Sequence, residues 1–337
     1  MDRRDFLKVA GATGLVAAAG RAEPAEKPAA RAGGASARGL ARGLTLLTFV
    51  EGGEHRLGVK TVKGVLDVKL ASALLRLAAP ATLDGLLQRE EGPALEALVA
   101  AALAAPAARQ AFREEAGLRY GPLVSHPEKI VCVGLNYRKH AAEVGAPIPK
   151  QPVLFSKFNT TLNAHGGVIR LPVEIARKFD YETELVIVMG REARRVAEAE
   201  ALGYVAGYAT GNDFTARDLQ LETGGQWIAG KTPDGFAPLG PYLVTADQVD
   251  PDAQAVELRL NGETRQSSST SDFIFNTRQM IAYISGIMTL RPGDLIFTGT
   301  PEGVIQGKPP EQRVWLKAGD RIACSVGQLG ELRFELT

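Results

Sequence analysis

Asp180-Tyr181-Glu182-Thr183-Glu184-Leu185-Val186-Ile187-Val188 sets two glutamates at alternate positions and runs straight into four apolar residues. In a strand, alternate side chains share a face about 6.5–7 Å apart, so Glu182 and Glu184 point the same way. Carboxylates on one face repel, and burying them is costly unless a cation neutralises them. A hard divalent cation taking oxygen ligands would do so; the other reading is the solvated face of an edge strand. A third carboxylate would complete a metal set, and Asp213 is the candidate. It lies in Gly211-Asn212-Asp213-Phe214-Thr215-Ala216-Arg217-Asp218, directly after the strand-like run 204–210. Three carboxylates on an octahedral ion leave positions open for water and substrate.

Around this stretch the chain is β-rich and punctuated by Gly and Pro turns. Strand-like runs fall at 130–134, 153–157, 168–171, 185–190, 204–210, 242–245, 257–260, 295–298 and 321–326, with only a few helices between them, chiefly 279–288. Their irregular spacing predicts coiled, mostly β sheets rather than alternating βαβ units. Upstream, a hairpin (44–50 and 55–62) about Glu51-Gly52-Gly53-Glu54, a strand at 65–67 and helices at 68–78, 83–88 and 94–104 predict a small α+β unit over 44–122. The fold class is therefore α+β, mostly β, with a main domain over 123–337.

Three further clusters bear chemistry. Gly134-Leu135-Asn136-Tyr137 precedes His140-Ala141-Ala142-Glu143, and Asn136 is a candidate N-cap for a short helix ending near Gly145. On that helix His140 and Glu143 are i, i+3 neighbours, so the carboxylate can orient the imidazole as a general base; a surface pair is the alternative. Lys231 opens the Gly/Pro-rich run 232–241, where a lone lysine is ordinarily solvated. Gly299-Thr300-Pro301-Glu302-Gly303 is a tight loop offering backbone N–H groups and the Thr300 hydroxyl to an anion.

Taken in order, Gly134–Tyr137, His140–Glu143, Asp180–Glu184, Asn212–Asp218, Lys231–Pro241 and Thr298–Gly303 resemble the motifs of the fumarylacetoacetate hydrolase family. The resemblance is strong from about Glu128 to the C-terminus and looser over 44–122. It implies a mixed β-sandwich roll and a homodimer. It also implies Mg2+ (or Mn2+) on Glu182, Glu184 and Asp213, with His140 and Glu143 as a lid dyad that activates water or moves a proton. Lys231 then matches a lysine stabilising an enolate or leaving group, and Gln220 and Thr300 match positions touching the substrate's oxo-carboxylate end. The implied chemistry is C–C bond hydrolysis in a small 2-oxo or diketo acid. Isomerisation or decarboxylation of the hydroxyhepta-dienedioate type, or carboxylate binding without turnover, are the alternatives. Two positions depart from the family pattern: Lys157 is followed by Phe158 rather than Pro, and Thr232-Pro233 replaces the common Ser-Phe.

The N-terminus carries its own message. Arg3-Arg4-Asp5-Phe6-Leu7-Lys8, an apolar stretch over 9–19 and small residues through Ala22 predict a cleavable twin-arginine export signal over 1–22, hence a periplasmic or extracytoplasmic protein. A flexible Ala/Gly/Arg/Pro-rich linker is expected over 23–43. The apolar stretch is too short to span a bilayer, which needs about 20 apolar residues. The 337-residue chain has a formal net charge of +1, which would become −1 after removal of 1–22, and no basic stripe, so a nucleic-acid partner is excluded. Cys132 and Cys324 sit in apolar runs and read as buried thiols, although an oxidising destination leaves a bridge open.

Overall fold

The structure, a computed structural model, describes residues 38–337. The export signal expected over 1–22, and all but the end of the expected linker, lie outside the described residues. Strands β1 (Thr45–Glu51), β2 (Glu54–Thr61) and β3 (Gly64–Asp67) lead into helices α1 (Val68–Leu75), α2 (Leu83–Arg89) and α3 (Gly92–Ala104) and the short β4 (Phe112–Arg113). Next come β5 (Ile130–Gly134), α4 (Arg138–Glu143), β6 (Val153–Lys157), β7 (Leu162–Asn163), β8 (Gly167–Ile169), β9 (Phe179–Asp180), β10 (Thr183–Met189), β11 (Val205–Asn212) and β12 (Thr215–Ala216). Helices α5 (Arg217–Leu221) and α6 (Ile228–Lys231) precede β13 (Ala237–Pro238), β14 (Leu243–Thr245), β15 (Ala255–Leu260) and β16 (Glu263–Ser269). Helix α7 (Thr277–Ile287) and strands β17 (Leu295–Phe297), β18 (Arg321–Val326) and β19 (Glu331–Leu336) complete the order.

The chain is mostly β, with mixed sheets, as its sequence predicts. Ten strands form one sheet in the order β4-β3-β2-β1-β14-β11-β10-β17-β5-β6, and five form a second in the order β16-β15-β18-β19-β8. The β1–β2 hairpin forms about the expected turn, and Thr45 and Leu46 of β1 pair with Val244 and Leu243 of β14. Helix α1 stops at Leu75, short of the expected 78, because Arg76 takes a left-handed conformation whose N–H bonds the Ser72 carbonyl.

Strand β10 lies in the interior of the large sheet, between β11 and β17, and every residue of it is buried. The solvated edge-strand reading of Glu182 and Glu184 is thereby overturned. Val186 and Val188 join a core shared with α1–α3, whereas Leu185, Ile187 and Met189 face the core that α7 covers. By the alternation of a strand, Glu184 continues the face of Val186 and Val188. Cys132 on β5 and Cys324 on β18 are both free and buried in different sheets, and burial pushes the Cys324 thiol up to about 12. Among the described residues no helix is long and apolar enough to cross a membrane.

Candidate metal centre

One oxygen from each of Glu182, Glu184 and Asp213 lies within 4.8 Å of the others, and all three side chains are buried. Their meeting follows from sheet register. Thr183 pairs with Asn212 across β10 and β11, so Glu182 and Asp213 flank the same end of the ladder, and the Asp213 N–H donates to the Glu182 carbonyl at 2.9 Å. The Asn212 side chain adds a bond to the Glu182 N–H at 3.1 Å.

Cations surround two of the three carboxylates. Lys231, at the end of α6, donates to Glu182 Oε2 and Asp213 Oδ2 at 2.7 Å each. Burial opposes its charge, yet Asp213 and Glu182 hold its pKa above the ordinary lysine value. Lys157, at the end of β6, donates to Asp213 Oδ1 at 2.5 Å and to the Phe214 carbonyl at 3.1 Å; burial pulls its pKa down. Arg217 reaches within 2.7 Å of Glu182 Oε1 while its Nε donates to Asp180 Oδ2 at 2.8 Å. Burial alone would raise the Glu182 pKa, but Lys231 and Arg217 hold it below the usual carboxylate range.

Glu184 is different. No cation of the described residues bonds it; its partner is the Gly299 N–H, 2.8 Å from Oε2. Burial, with Asp213 and Glu182 close by, pushes its carboxyl well above the ordinary value. Three converging carboxylates, one of them without a counter-charge, are the donor set of a hard divalent cation. The residues fit a metal site, and the group that would satisfy Glu184 is an ion on that triad.

Of the remaining predicted residues, His140, Lys231, Gln220 and Thr300 line the same cavity, and Glu143 reaches it only through His140. His140 Nδ1 lies 3.1 Å from Glu143 Oε2 on α4, and Glu143 Oε1 accepts the Gly303 N–H at 2.9 Å. The His140 ring faces the cavity, as do Lys231, Gln220 and Thr300. Gln220, on α5, accepts from Arg217 Nη1 at 3.0 Å. Thr300 donates to the Thr183 carbonyl at 3.1 Å and accepts from Gln266 Nε2 at 2.9 Å. Two N–H groups of the 299–303 loop, expected to face an anion, thus serve the protein's own carboxylates: Gly299 bonds Glu184 and Gly303 bonds Glu143. Gly299 has φ +97°, and a Cβ there would crowd Asn136 and the Val133 carbonyl, so the loop needs glycine at this point.

Two expectations are corrected. Asn136 does not cap α4: the cap residue is Tyr137, without a side-chain cap bond. Asn136 turns inward instead, donating to the Thr298 carbonyl at 2.8 Å and to the Phe275 carbonyl at 3.1 Å and accepting from the Phe275 N–H at 2.9 Å. Three backbone groups, the Thr298 carbonyl fully buried and both Phe275 groups partly so, outweigh one helix end. Lys231 is not solvated, because α6 carries it into the carboxylate cluster, where it is 2% exposed.

Sequence reasoning gave no site role to Lys157, Arg217 or Asp180. Asp180 Oδ1 accepts from the Ile305 N–H at 2.9 Å and Oδ2 from the Gln306 N–H at 3.0 Å, fixing the loop that carries Gly303 beside Arg217. A signal existed for Lys157: a lysine ending a five-residue strand run on the same face as Val153 and Phe155 needs a buried partner.

This fold and this site define a class. The sequence model of the fumarylacetoacetate (FAA) hydrolase C-terminal family matches residues 129–337, and the chain belongs to that family. A mitochondrial oxaloacetate tautomerase of Rattus norvegicus is 43% identical over 209 residues, which make up 61% of this chain and 66% of that relative. The fumarylacetoacetate hydrolase structure from psychrophilic Exiguobacterium antarcticum is 32% identical, with a TM-score of 0.69 over 87% of this chain and 99% of that one. Fumarylpyruvate hydrolase from Pseudomonas aeruginosa, solved in complex with Mn2+ and pyruvate, is 35% identical, with a TM-score of 0.55 over 62% of this chain and 89% of that one.

Proposed function

We propose that this chain is a divalent-metal-dependent hydrolase that cleaves a C–C bond in a small 2-oxo or diketo acid of the acylpyruvate kind. The observation that carries this reading is the convergence of three buried carboxylates, a buried lysine and a glutamate-bonded histidine on one cavity. Mg2+ or Mn2+ held by Glu182, Glu184 and Asp213 would supply Lewis acidity to a substrate carbonyl. The chain's own groups do the rest. His140 turns Nδ1 to Glu143, which leaves Nε2 to take a proton from water. The resulting hydroxide adds to the distal carbonyl, the C–C bond breaks, and the electron pair stays on the pyruvate fragment as its enolate. Lys231, kept protonated by Asp213 and Glu182, offers positive charge where that enolate develops. Proton return to carbon gives pyruvate and a carboxylic acid.

A second reading, keto–enol tautomerisation of oxaloacetate, is favoured by the rat relative. It uses the same base and the same lysine without the C–C cleavage. The separating experiment is turnover of acylpyruvates and oxaloacetate with Mg2+, with Mn2+ and with EDTA, repeated for Glu143→Gln. Metal-dependent release of pyruvate from acylpyruvates, depressed on the order of 100-fold in Glu143→Gln, supports hydrolysis. Tautomerisation without cleavage transfers the assignment to the second reading. Metal-dependent binding without turnover of either leaves a carboxylate-binding protein. Twin-arginine export and a homodimer complete the proposal. Cell fractionation of an Arg3→Lys, Arg4→Lys double variant and light scattering of the purified chain test them.

A further inference from the structure

The cavity over the metal triad, about 280 Å3, has two unlike halves. The inner half is the carboxylate–lysine cluster. The outer half is made of Leu135, Val144, Ala146, Phe155, Leu221 and Trp227. Phe155 and Trp227 meet edge to face, ring centroids 5.4 Å apart, and the Phe155 ring lies 5.1 Å from Lys231 Nζ. The wall and the lysine share one support, since Trp227 caps the helix that ends at Lys231. Strand β5 makes room for the indole: a Cβ on Gly134 would overlap its ring.

Among the described residues that line the cavity, no cation remains for the far end of a substrate. The lining cationic side chains are Arg217 and Lys231, with His140 on its glutamate. Arg217 is spent on Asp180, Glu182 and Gln220, and Lys231 on Glu182 and Asp213. Gln306, the remaining amide at the rim, offers a neutral hydrogen bond but no counter-charge. A second carboxylate pushed against this wall would be desolvated without a partner, which is expensive. An alkyl or aryl tail would cover apolar surface that is otherwise wet.

We propose that the outer wall is a tail subsite selecting 2,4-dioxo acids with one carboxylate and an apolar acyl or aryl end. This rests on the function proposed above and narrows its substrate class; oxaloacetate would leave the wall uncovered. The test compares butanoylpyruvate with succinylpyruvate, which differ by a terminal methyl against a carboxylate, using the full chain with Mn2+. The kcat/KM is expected to favour butanoylpyruvate on the order of 100-fold, with benzoylpyruvate also accepted. Leu221→Arg changes a half-exposed residue at the rim and supplies the missing counter-charge. It is expected to raise succinylpyruvate kcat/KM at least tenfold and lower that of butanoylpyruvate. Equal or better use of succinylpyruvate by the unmodified protein would overturn the subsite, while metal-dependent turnover itself would leave the hydrolase reading standing. Should neither compound turn over, calorimetric affinities of the Mn2+-loaded protein decide. Tighter butanoylpyruvate binding keeps the subsite and removes the hydrolase, and equal binding or none removes both.

Discussion

Replacing Lys157 with methionine separates the electrostatic role of a buried ammonium from that of a metal ion. The substitution keeps an unbranched side chain, one atom shorter, and removes the bonds from Nζ to Asp213 Oδ1 (2.5 Å) and to the Phe214 carbonyl (3.1 Å). Deleting one partner of a buried ion pair costs about 3–5 kcal/mol, because the other charge is stranded. Asp213 keeps Lys231 on its second oxygen at 2.7 Å, which places the cost at the lower end, about 3 kcal/mol. In a chain of this size that is a fall in Tm on the order of 5 °C in EDTA. A divalent cation on the triad replaces the missing positive charge, so the deficit should shrink to half or less in saturating Mn2+. By linkage the variant then binds Mn2+ more tightly than the parent, by roughly tenfold for about 1.4 kcal/mol recovered. Calorimetric melting in both buffers and titration calorimetry with Mn2+ measure both effects. A variant that melts with its parent in EDTA, or gains no more from Mn2+ than its parent does, would refute the argument that the ammonium and the metal answer the same charge.

Three other perturbations test the rest of the site. Asp213→Ala removes a ligand and the anchor of two lysines, and should abolish both stoichiometric metal binding, read by elemental analysis after gel filtration, and turnover. Gly134→Ala drives a methyl into the Trp227 ring; KM for benzoylpyruvate should rise about tenfold while that for the shortest acylpyruvate stays close to the parent's. Asn136→Ala leaves the Thr298 and Phe275 carbonyls and the Phe275 N–H without their partner, for a loss of about 3 kcal/mol seen as a lowered midpoint in urea.

The mostly β class and the carboxylate triad could be read from the chain because they rest on local pattern: alternation at 182 and 184, then an apolar run. What lay beyond reach depended on partners distant in sequence. Strand β16, Glu-Thr-Arg-Gln-Ser-Ser-Ser, has no apolar alternation, since as the outermost strand of its sheet it buries only Gln266. Strand β19 alternates buried and exposed from Leu332 to Leu336 and carried a readable signal that went unused. Asn136 looked like a helix cap because its inward partners, Phe275 and Thr298, come about 140 and 160 residues later. Arg217 and Asp180 look like ordinary charges until the sheet brings them together.

The short ladder between β1 and β14 has a consequence in time. Its two halves are separated by roughly 200 residues of chain, so the amino-terminal hairpin leaves the ribosome long before the strand that closes its edge has been made. At about 5–20 residues per second the wait is about 10–40 s. During that interval the hairpin offers an open row of backbone donors and acceptors to any neighbouring nascent chain. The yield of native protein should therefore respond to translation speed and to chaperone supply even in variants whose final stability is unchanged.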